Sequence, residues 1–551
     1  MNYSEYIIKT LEINEIDTYF IITGGAIVPF INYLSKNKKK YYCFQHEQSA
    51  AMAAEGYFRA SGKIACVVVT SGPGVQNIMN GLCGCWYDSI PALFITGQVN
   101  TNESLDNIDS KPRQSGFQEM PVVECFKYFT TTSKKISEVC KIDNIITELK
   151  TPRYGPVLID LPVNIQQQSC DFEPVRVYSK IINPPGACID FSESERPLVI
   201  IGAGVKLSHR EKECIKFLET NKLPFVVSWG AFDVCSTDHP LRIGSHGVYG
   251  DRIANYAVQN ADLLVILGSR LDSRQTGGNF KSFSKFSRKI MVDIDGEEIN
   301  KLYERGITIH SKIITPLETF FDNVSVSNIG SEYICWKEQL HKCKYIFTDP
   351  ERTGVYNILP DLFKKFPDNS IIIPDQGGNL VWTMQTATLT ENQSLFTNLG
   401  NSSMGFALPC AIGAAIGSER PIVCIDGDGG FQMNIQELLT VSKYKLPIDI
   451  YILNNSGYGI IKQFQDNYFS SNYVATTKQE VFGEIDIPFE EIAKCYGVHT
   501  LRDVKIPENQ KIFPKLEFGN SLENMSPYLD HMEEHMIVDW CPSKHLKGEW
   551  S

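Results

Sequence analysis

Four features are missing from this chain of 551 residues: a CxxC pair, a membrane-length apolar run, an excess of basic charge and any adjacent pair of histidines. Its 16 cysteines are scattered, Cys83-Gly84-Cys85 being the nearest couple. A dense secreted disulfide framework is therefore excluded, and reduced thiols are expected. The longest nearly apolar stretch, 404–417, is broken by Pro409 and falls short of the roughly 20 residues a bilayer requires. The opening residues MNYSEYIIKTLEIN mix acids into a helical pattern and lack a signal peptide's apolar centre, so a cytoplasmic location is expected. A net charge of −12, from 64 acidic and 52 basic side chains, gives no footprint for nucleic acid or an anionic membrane, and neither is expected as a partner. Lys38-Lys39-Lys40 reads as a solvated loop.

What is present is ordinary in composition, 43% hydrophobic and 21% charged, which excludes disorder and collagen-like order. Short Val- and Ile-rich runs alternate with helix-like stretches: IACVVVTSG, PALFITGQV, PVLIDLP, RPLVIIGAG, ADLLVILGS, KIMVDID, SIIIPDQG, PIVCIDGDGG and IDIYILNNSG. Continuous apolar strands of this kind suit parallel sheets buried on both faces, and the alternation implies βαβ units. Functional groups are then expected at the carboxyl ends of strands. Polar stretches without periodicity, 166–195 (with Pro184-Pro185) and 325–352, read as linkers. They divide the chain into three doubly wound α/β domains, 1–165, 190–325 and 350–535.

The segment 426–457 is the most informative. Asp426-Gly427-Asp428-Gly429-Gly430 follows one strand, and Asn454-Asn455-Ser456-Gly457 follows the next. From 428 to 455 is 27 residues, one helix plus one returning strand, so both side chains reach the same sheet edge. A carboxylate, an amide oxygen and a backbone carbonyl make a hard-oxygen set suited to Mg²⁺ that is also held by phosphates. Glycines after Asp428 allow close approach of backbone N–H groups to a phosphate. A Gly-rich turn with a capping Asp would explain the first element alone, but not the pair.

This pairing is the thiamine-diphosphate motif. From about residue 10 to about 505 the chain resembles acetohydroxyacid (acetolactate) synthase and its thiamine-diphosphate relatives. The resemblance implies a pyrimidine-binding, a flavin-binding-like and a diphosphate-binding domain, in that order. It makes Asp428, Asn455 and the Gly457 carbonyl the Mg²⁺ ligands, with Gly427, Gly429 and Gly430 beside the diphosphate. Gln376-Gly377-Gly378-Asn379 is similar to the family's other diphosphate loop, with Gly-Asn where a Gln-His pair is usual.

The stretch 45–57 is similar to the family's HEQ…AEGY helix, in which Glu47 would meet N1′ of the aminopyrimidine. An acid sharing its proton with N1′ shifts the ring to its imino form, whose nitrogen then deprotonates the thiazolium carbon. A carboxyl in an apolar pocket can share that proton near neutrality. Thr70–Asn77, with Pro73 and Asn77, follows the same domain, as do Asp88-Ser89-Ile90-Pro91 and Thr96-Gly97-Gln98-Val99. Gly25, in Gly24-Gly25, sits where the family has a backbone donor at the reacting carbonyl. Gln118, in Gly116-Phe117-Gln118-Glu119, is the candidate polar group there. Ser402-Ser403-Met404-Gly405-Phe406-Ala407-Leu408-Pro409 is similar to the GTMGFGLP segment, so Met404 would bend the cofactor and the Ser402 carbonyl would hold its amine.

In the middle block, Gly202-Ala203-Gly204 alone is explained equally well by a tight strand–helix turn. Together with Gly244-Ser245-His246-Gly247, Gly268-Ser269-Arg270-Leu271-Asp272 and Asp293-Ile294-Asp295, it resembles the family's flavin-contacting segments. FAD is implied, in a largely structural role, since carboligation moves no net electrons. His246 as a flavin neighbour and as a satisfied core histidine both remain open.

The resemblance implies a carboligase with pyruvate as donor and a carbonyl compound as acceptor. Simple decarboxylases of the superfamily carry a histidine pair in the first domain, where this chain has only His46. A site poor in acids protects the reactive two-carbon unit from protonation. Phe464 and Ile460 stand where typical members carry tryptophan and methionine, so acceptor choice does not transfer. Leu522–Asp530 is similar to the ending of carboligases that build branched sugars on nucleotide-linked ketosugars, which keeps that acceptor open. A plain decarboxylase, a flavin oxidase and a non-catalytic relative compete with the carboligase, the last disfavoured by Glu47. In the family, the equivalents of Glu47 and Asp428 come from different subunits, which implies a homodimer or homotetramer. After Val498 roughly 30 residues of the usual third domain are missing. His531-Met532-Glu533-Glu534-His535 fits an inverted zinc-peptidase pattern, with no third ligand in view, and reads as chance.

Overall fold

A computed structural model of the chain describes residues 1–529 with the exception of 111, 180–185, 328–332, 348 and 350–351. Pro184-Pro185 and the HxxEH pattern at 531–535 lie outside the described residues. The chain divides into two compact units: Met1–Lys180 with Asn369–Leu380 and Ser394–Asn509, and Ile181–Asp368 with Val381–Gln393 and the residues from Gln510 onward.

The first unit holds two parallel sheets. One has six strands in the spatial order Lys40–Cys43, Thr18–Ile21, Ala65–Val69, Leu93–Gln98, Val157–Pro162 and Thr132–Lys135. Its central runs are buried throughout, as a sheet covered on both faces requires. Tyr3, Tyr6, Ile7 and Leu11, on one face of the helix Tyr3–Ile13, pack into its core with Ile95 and Ile159. The other sheet has five strands: Ser394–Leu395, Ile371–Pro374, Ile422–Gly427, Ile448–Asn454 and Leu501–Lys505. In chain order this reads 2-1-3-4-5, so the winding reverses between Ile371–Pro374 and Ile422–Gly427. This sheet ends at Leu501–Lys505, one strand fewer than the first. The helix Glu47–Ser61 of the first sheet packs against Ala407–Gly417 of the second.

The second unit is built on six parallel strands in the order Arg242–Ser245, Phe225–Val227, Pro197–Ile201, Leu263–Leu267, Arg288–Asp293 and Ser311–Ile314. In chain order this is 3-2-1-4-5-6, the arrangement of dinucleotide-binding folds. Much of the stretch expected as a linker after 325 is helical, over Tyr333–Ile346. Trp336, Leu340 and Cys343 recur at helical spacing and join the same core as Leu264 and Ile266. The first expected linker likewise contains a strand, Cys188–Asp190, paired with Ser325–Ser327. Leu516, Leu522 and Leu529 belong to this core too. Arg252, nearly fully buried, donates to the Met525 carbonyl at 3.0 Å and the Pro527 carbonyl at 2.7 Å.

Candidate active site

Parallel strands present their carboxyl ends on one edge, and side chains from strands that wind apart meet there in a crevice. In the five-stranded sheet, Pro374 pairs with Ile425, so Asp375–Asn379 and Asp426–Gly430 emerge side by side. Gly427 pairs with Leu453, which brings Asn454–Gly457 to the same edge. Asp428 accepts from the Gly429 N–H at 2.8 Å through Oδ1 and from the Gly457 N–H at 3.1 Å through Oδ2. Asn455, just after the strand Ile448–Asn454, is buried. Burial pushes the Asp428 carboxyl up to about 6, the backbone donors opposing the shift. Among the described residues no group of three His, Cys, Asp or Glu side chains could hold a metal. Asp428, Asn455 and Gly457 include one carboxylate, so the set suits a hard cation that completes its shell with phosphate and water. Asn379 Nδ2 donates to the Gln376 carbonyl at 2.8 Å, while its buried Oδ1 has no hydrogen-bond partner.

Gln376 has its side chain occupied. Its Nε2 donates to Thr397 Oγ1 at 2.9 Å and the Asn398 carbonyl at 2.8 Å, and its Oε1 accepts from Ser402 Oγ at 2.7 Å. Gln376 thus braces the loop that carries Ser402 and the half-buried Met404. Gly377 and Gly378 carry the turn onward with no side chain to obstruct an anion.

Two further buried carboxyls stand behind this edge, Asp375 and the Asp426 that opens the Asp426–Gly430 run. Asp375 accepts from Gly405 N–H at 3.0 Å, Phe406 N–H at 2.7 Å and Ala407 N–H at 3.1 Å, tying the Met404 segment to the strand end. Burial pushes Asp375 up to about 6. Burial, then its neighbour Asp375, push Asp426 well above the carboxylate range. The signal they do carry is an acid at the end of an apolar strand beside a winding reversal, Asp375 just after Ile371–Pro374 and Asp426 within Ile422–Gly427. Glu437, a third fully buried acid, ends the short turn Ile435–Glu437 and accepts from the N–H groups of Gln45 and His46 at 3.1 Å each. It thereby fixes the start of the Glu47 helix.

Glu47 opens that helix, half-buried, and its Oε2 accepts from Asn77 Nδ2 at 2.9 Å. Pro73 starts the short helix Pro73–Asn77, after Ala65–Val69. Gly25, exposed, begins the turn Gly25–Ile27 beyond the neighbouring strand Thr18–Ile21, so both lie at the winding reversal of the first sheet. Gln118 has φ +62°, and a Cβ on Gly72 would stand 2.9 Å from the Gln118 Cβ, which places Gln118 against the same turn. Glu119 anchors its loop through Leu105 N–H at 2.7 Å and Gly116 N–H at 3.1 Å. The helix Gly459–Tyr468 carries half-buried Ile460, and Phe464, which is 39% exposed with its ring 4.9 Å from that of Tyr468.

In the second unit, Pro197–Ile201 and Leu263–Leu267 flank the winding reversal. A Cβ on Gly202 would stand 2.1 Å from the Gly268 carbonyl oxygen, and one on Gly204 2.9 Å from the Gly268 Cα. The two turns, with Ala203 and Ser269 between and beside these glycines, close on each other only because side chains are missing. His246 directly follows the strand Arg242–Ser245, which pairs with Phe225–Val227, its Nδ1 3.2 Å from the Val227 carbonyl and its buried Nε2 without a partner. Burial lowers its pKa to about 4, so the ring is neutral. Ser245 donates its N–H to Asp251 at 2.7 Å. Asp272 caps the helix Ser273–Thr276, accepting from Arg274 N–H at 2.8 Å and Gln275 N–H at 3.2 Å. Arg270 precedes that cap. Asp293 ends the strand Arg288–Asp293, and its Oδ1 accepts from Asp295 N–H at 2.9 Å across Ile294.

These features coincide with a known class. Residues 1–124 match the N-terminal TPP binding domain of thiamine pyrophosphate enzymes, 188–319 their central domain, and 375–518 their C-terminal TPP binding domain. The chain is 30% identical over 549 residues to the acetolactate synthase isozyme 2 large subunit of Escherichia coli K12, covering 97% of this chain and 95% of that one. It is 31% identical over 538 residues to a probable acetolactate synthase large subunit of Methanococcus aeolicus, covering 91% and 88%. It is 30% identical over 563 residues to the chloroplastic acetolactate synthase 1 of Zea mays, covering 96% and 84%. The chain belongs to the acetolactate synthase-like family of thiamine pyrophosphate enzymes. Among the described residues, no helix is long and apolar enough to cross a membrane.

Proposed function

We propose that the protein is a thiamine-diphosphate-dependent carboligase that decarboxylates pyruvate and joins the two-carbon unit to a carbonyl acceptor, a second 2-oxo acid. The observation that carries this reading is the meeting of the Asp375–Asn379 and Asp428 turns at one winding reversal, with the Gly457 N–H on the Asp428 carboxylate. The reaction is the one for which the related acetolactate synthases are named.

The residues present fit the cofactor. Asp428, Asn455 and the Gly457 carbonyl would hold Mg²⁺. Gly377, Gly378, Asn379, Gly427, Gly429 and Gly430 would line the diphosphate. Pro73, Asn77, Ser402, Met404 and Ile460 would surround the rings. When bound, the cofactor supplies a nucleophilic carbon and an electron sink for loss of CO₂. Glu47 would hold a proton at N1′ of the pyrimidine; the hydrogen bond from Asn77 to Oε2 orients the carboxyl and would leave Oε1 for the ring. The Ser402 carbonyl would accept from the exocyclic amine. Gln118 and the Gly25 N–H orient the carbonyl oxygen of the substrate.

FAD belongs to the same proposal, in the crevice of the second unit. The Gly202–Gly268 approach and the unpartnered Nε2 of His246 support it. We include a homodimer or homotetramer with sites between subunits, on the strength of the family resemblance.

The test is incubation of the protein with pyruvate, Mg²⁺ and thiamine diphosphate, with and without FAD and candidate acceptors, followed by mass analysis. Acetolactate is expected. Acetaldehyde as sole product would overturn the carboligase reading, and a two-carbon branch formed only on a nucleotide-linked ketosugar would overturn the 2-oxo acid acceptor.

A further inference from the structure

Ser402 is an L-residue at φ +56°, a backbone region that residues with a Cβ avoid. Something must hold it there, and every link is visible. The Leu399 and Gly400 N–H groups donate to the two oxygens of Asp88 at 2.9 and 2.8 Å. The Asn401 and Ser402 N–H groups both donate to Asn398 Oδ1 at 3.0 Å. Asn398 is itself fixed, its Nδ2 donating to Glu55 Oε2 at 2.9 Å. The loop's four successive N–H groups thus depend on two carboxylates, Asp88 and, through Asn398, Glu55.

One cation joins them. Arg59 Nη2 lies 2.8 Å from Glu55 Oε1 and 2.8 Å from Asp88 Oδ2, and its Nε donates to Glu55 Oε1 at 2.9 Å. Its guanidinium also lies over the Phe396 ring, 5.8 Å from the centroid. The Glu55 side chain is 0% exposed and that of Asp88 7%. Two carboxylates this close and this buried do not both stay ionised without a cation between them. A planar fork meets both at once, which a lysine ammonium does not reproduce.

We propose that Arg59, acting through Asp88 and Glu55, is a positioning residue that sets the conformation of the 398–404 loop, and with it the direction of the Ser402 carbonyl and the seat of Met404. The inference rests on the thiamine-diphosphate reading only for the purpose of that geometry. Arg59 itself touches no reacting group.

The test uses the full chain with Arg59→Met and, as the milder partner, Asp88→Asn. In the cofactor-free protein, amide hydrogen exchange at 399–402 should accelerate about tenfold or more in Arg59→Met, while the helix Ala407–Gly417 keeps its protection. In the protein loaded with thiamine diphosphate and Mg²⁺, deuterium exchange at the thiazolium C2 should slow about tenfold or more, with cofactor affinity and pyruvate KM within about threefold of the parent. Unchanged loop exchange, or affinity and C2 exchange falling together by one factor, would overturn the proposal. If Arg59→Met fails to fold, Asp88→Asn decides: faster exchange at 399 and 400 supports the assignment, and parental exchange overturns it. Failure of the parent to bind thiamine diphosphate would sink the functional reading alone, since the cofactor-free measurement still reports on the loop.

Discussion

Gly56 and Gly413 face each other's helices across backbone contact: a Cβ on Gly56 would stand 2.0 Å from the Cys410 carbonyl oxygen, and one on Gly413 1.9 Å from that of Ala53. The joint between the two sheets of the first unit is therefore as close as backbones permit. Gly413→Ala gains helix propensity but drives a methyl into a carbonyl that cannot swing away. A net loss of about 1–3 kcal/mol is expected from the urea midpoint. Equal or greater stability would show that the helices can part at no cost.

Glu47 and its partner Asn77 make a separable prediction. Glu47→Gln keeps the shape and a hydrogen-bonding oxygen but removes the acid. Turnover should fall about 10²-fold or more, with the dissociation constant for thiamine diphosphate nearly unchanged. Titration of cofactor binding beside steady-state kinetics checks both halves, and normal turnover would remove Glu47 from its role.

Asp428→Ala should do the reverse. Losing the one carboxylate of the Asp428, Asn455 and Gly457 set should weaken Mg²⁺-dependent cofactor binding by about 10²-fold or more. Chelation of the divalent ion from the parent should reproduce the defect. Tight cofactor binding by the variant would place the ion elsewhere.

Asp160 gives a pH prediction away from the reacting groups. It is 1% exposed, accepts from Thr96 Oγ1 at 2.8 Å and Gln98 Nε2 at 3.0 Å, and burial pushes it from 3.8 up to about 7. Between those values the folded chain binds more protons than the unfolded one, so stability falls as pH rises. This contribution is full below about pH 4 and lost on passing about pH 7. Asp160→Asn removes it, and the decline in urea midpoint between about pH 5 and pH 8 should shrink in the variant. The same decline in both proteins would assign it to other carboxyls.

Much of the architecture is legible in the sequence. Runs such as IACVVVTSG and PIVCIDGDGG are apolar without alternation, and only a sheet covered on both faces accommodates that. The 27-residue interval from Asp428 to Asn455 matches one helix and one strand, and the two do emerge at one edge. Trp336, Leu340 and Cys343 give a weak signal because the residues between them, Lys337-Glu338-Gln339 and His341-Lys342, are polar. Asp375 and Asp426 give only their place at strand ends, and Glu437 gives nothing, because an acid in a sequence looks the same whether it meets water or a row of backbone N–H groups.

The α/β class and the apolar strands at the centre of each sheet followed from the sequence alone, because periodicity is set by neighbours along the chain. Only the tertiary structure decided which buried charges hold which loops. Arg59 stands more than three hundred residues from the Asn398 it steadies, and Asp375 some thirty from the Phe406 amide it accepts. Such partners are chosen by packing and desolvation, which act across space and leave no local pattern to read.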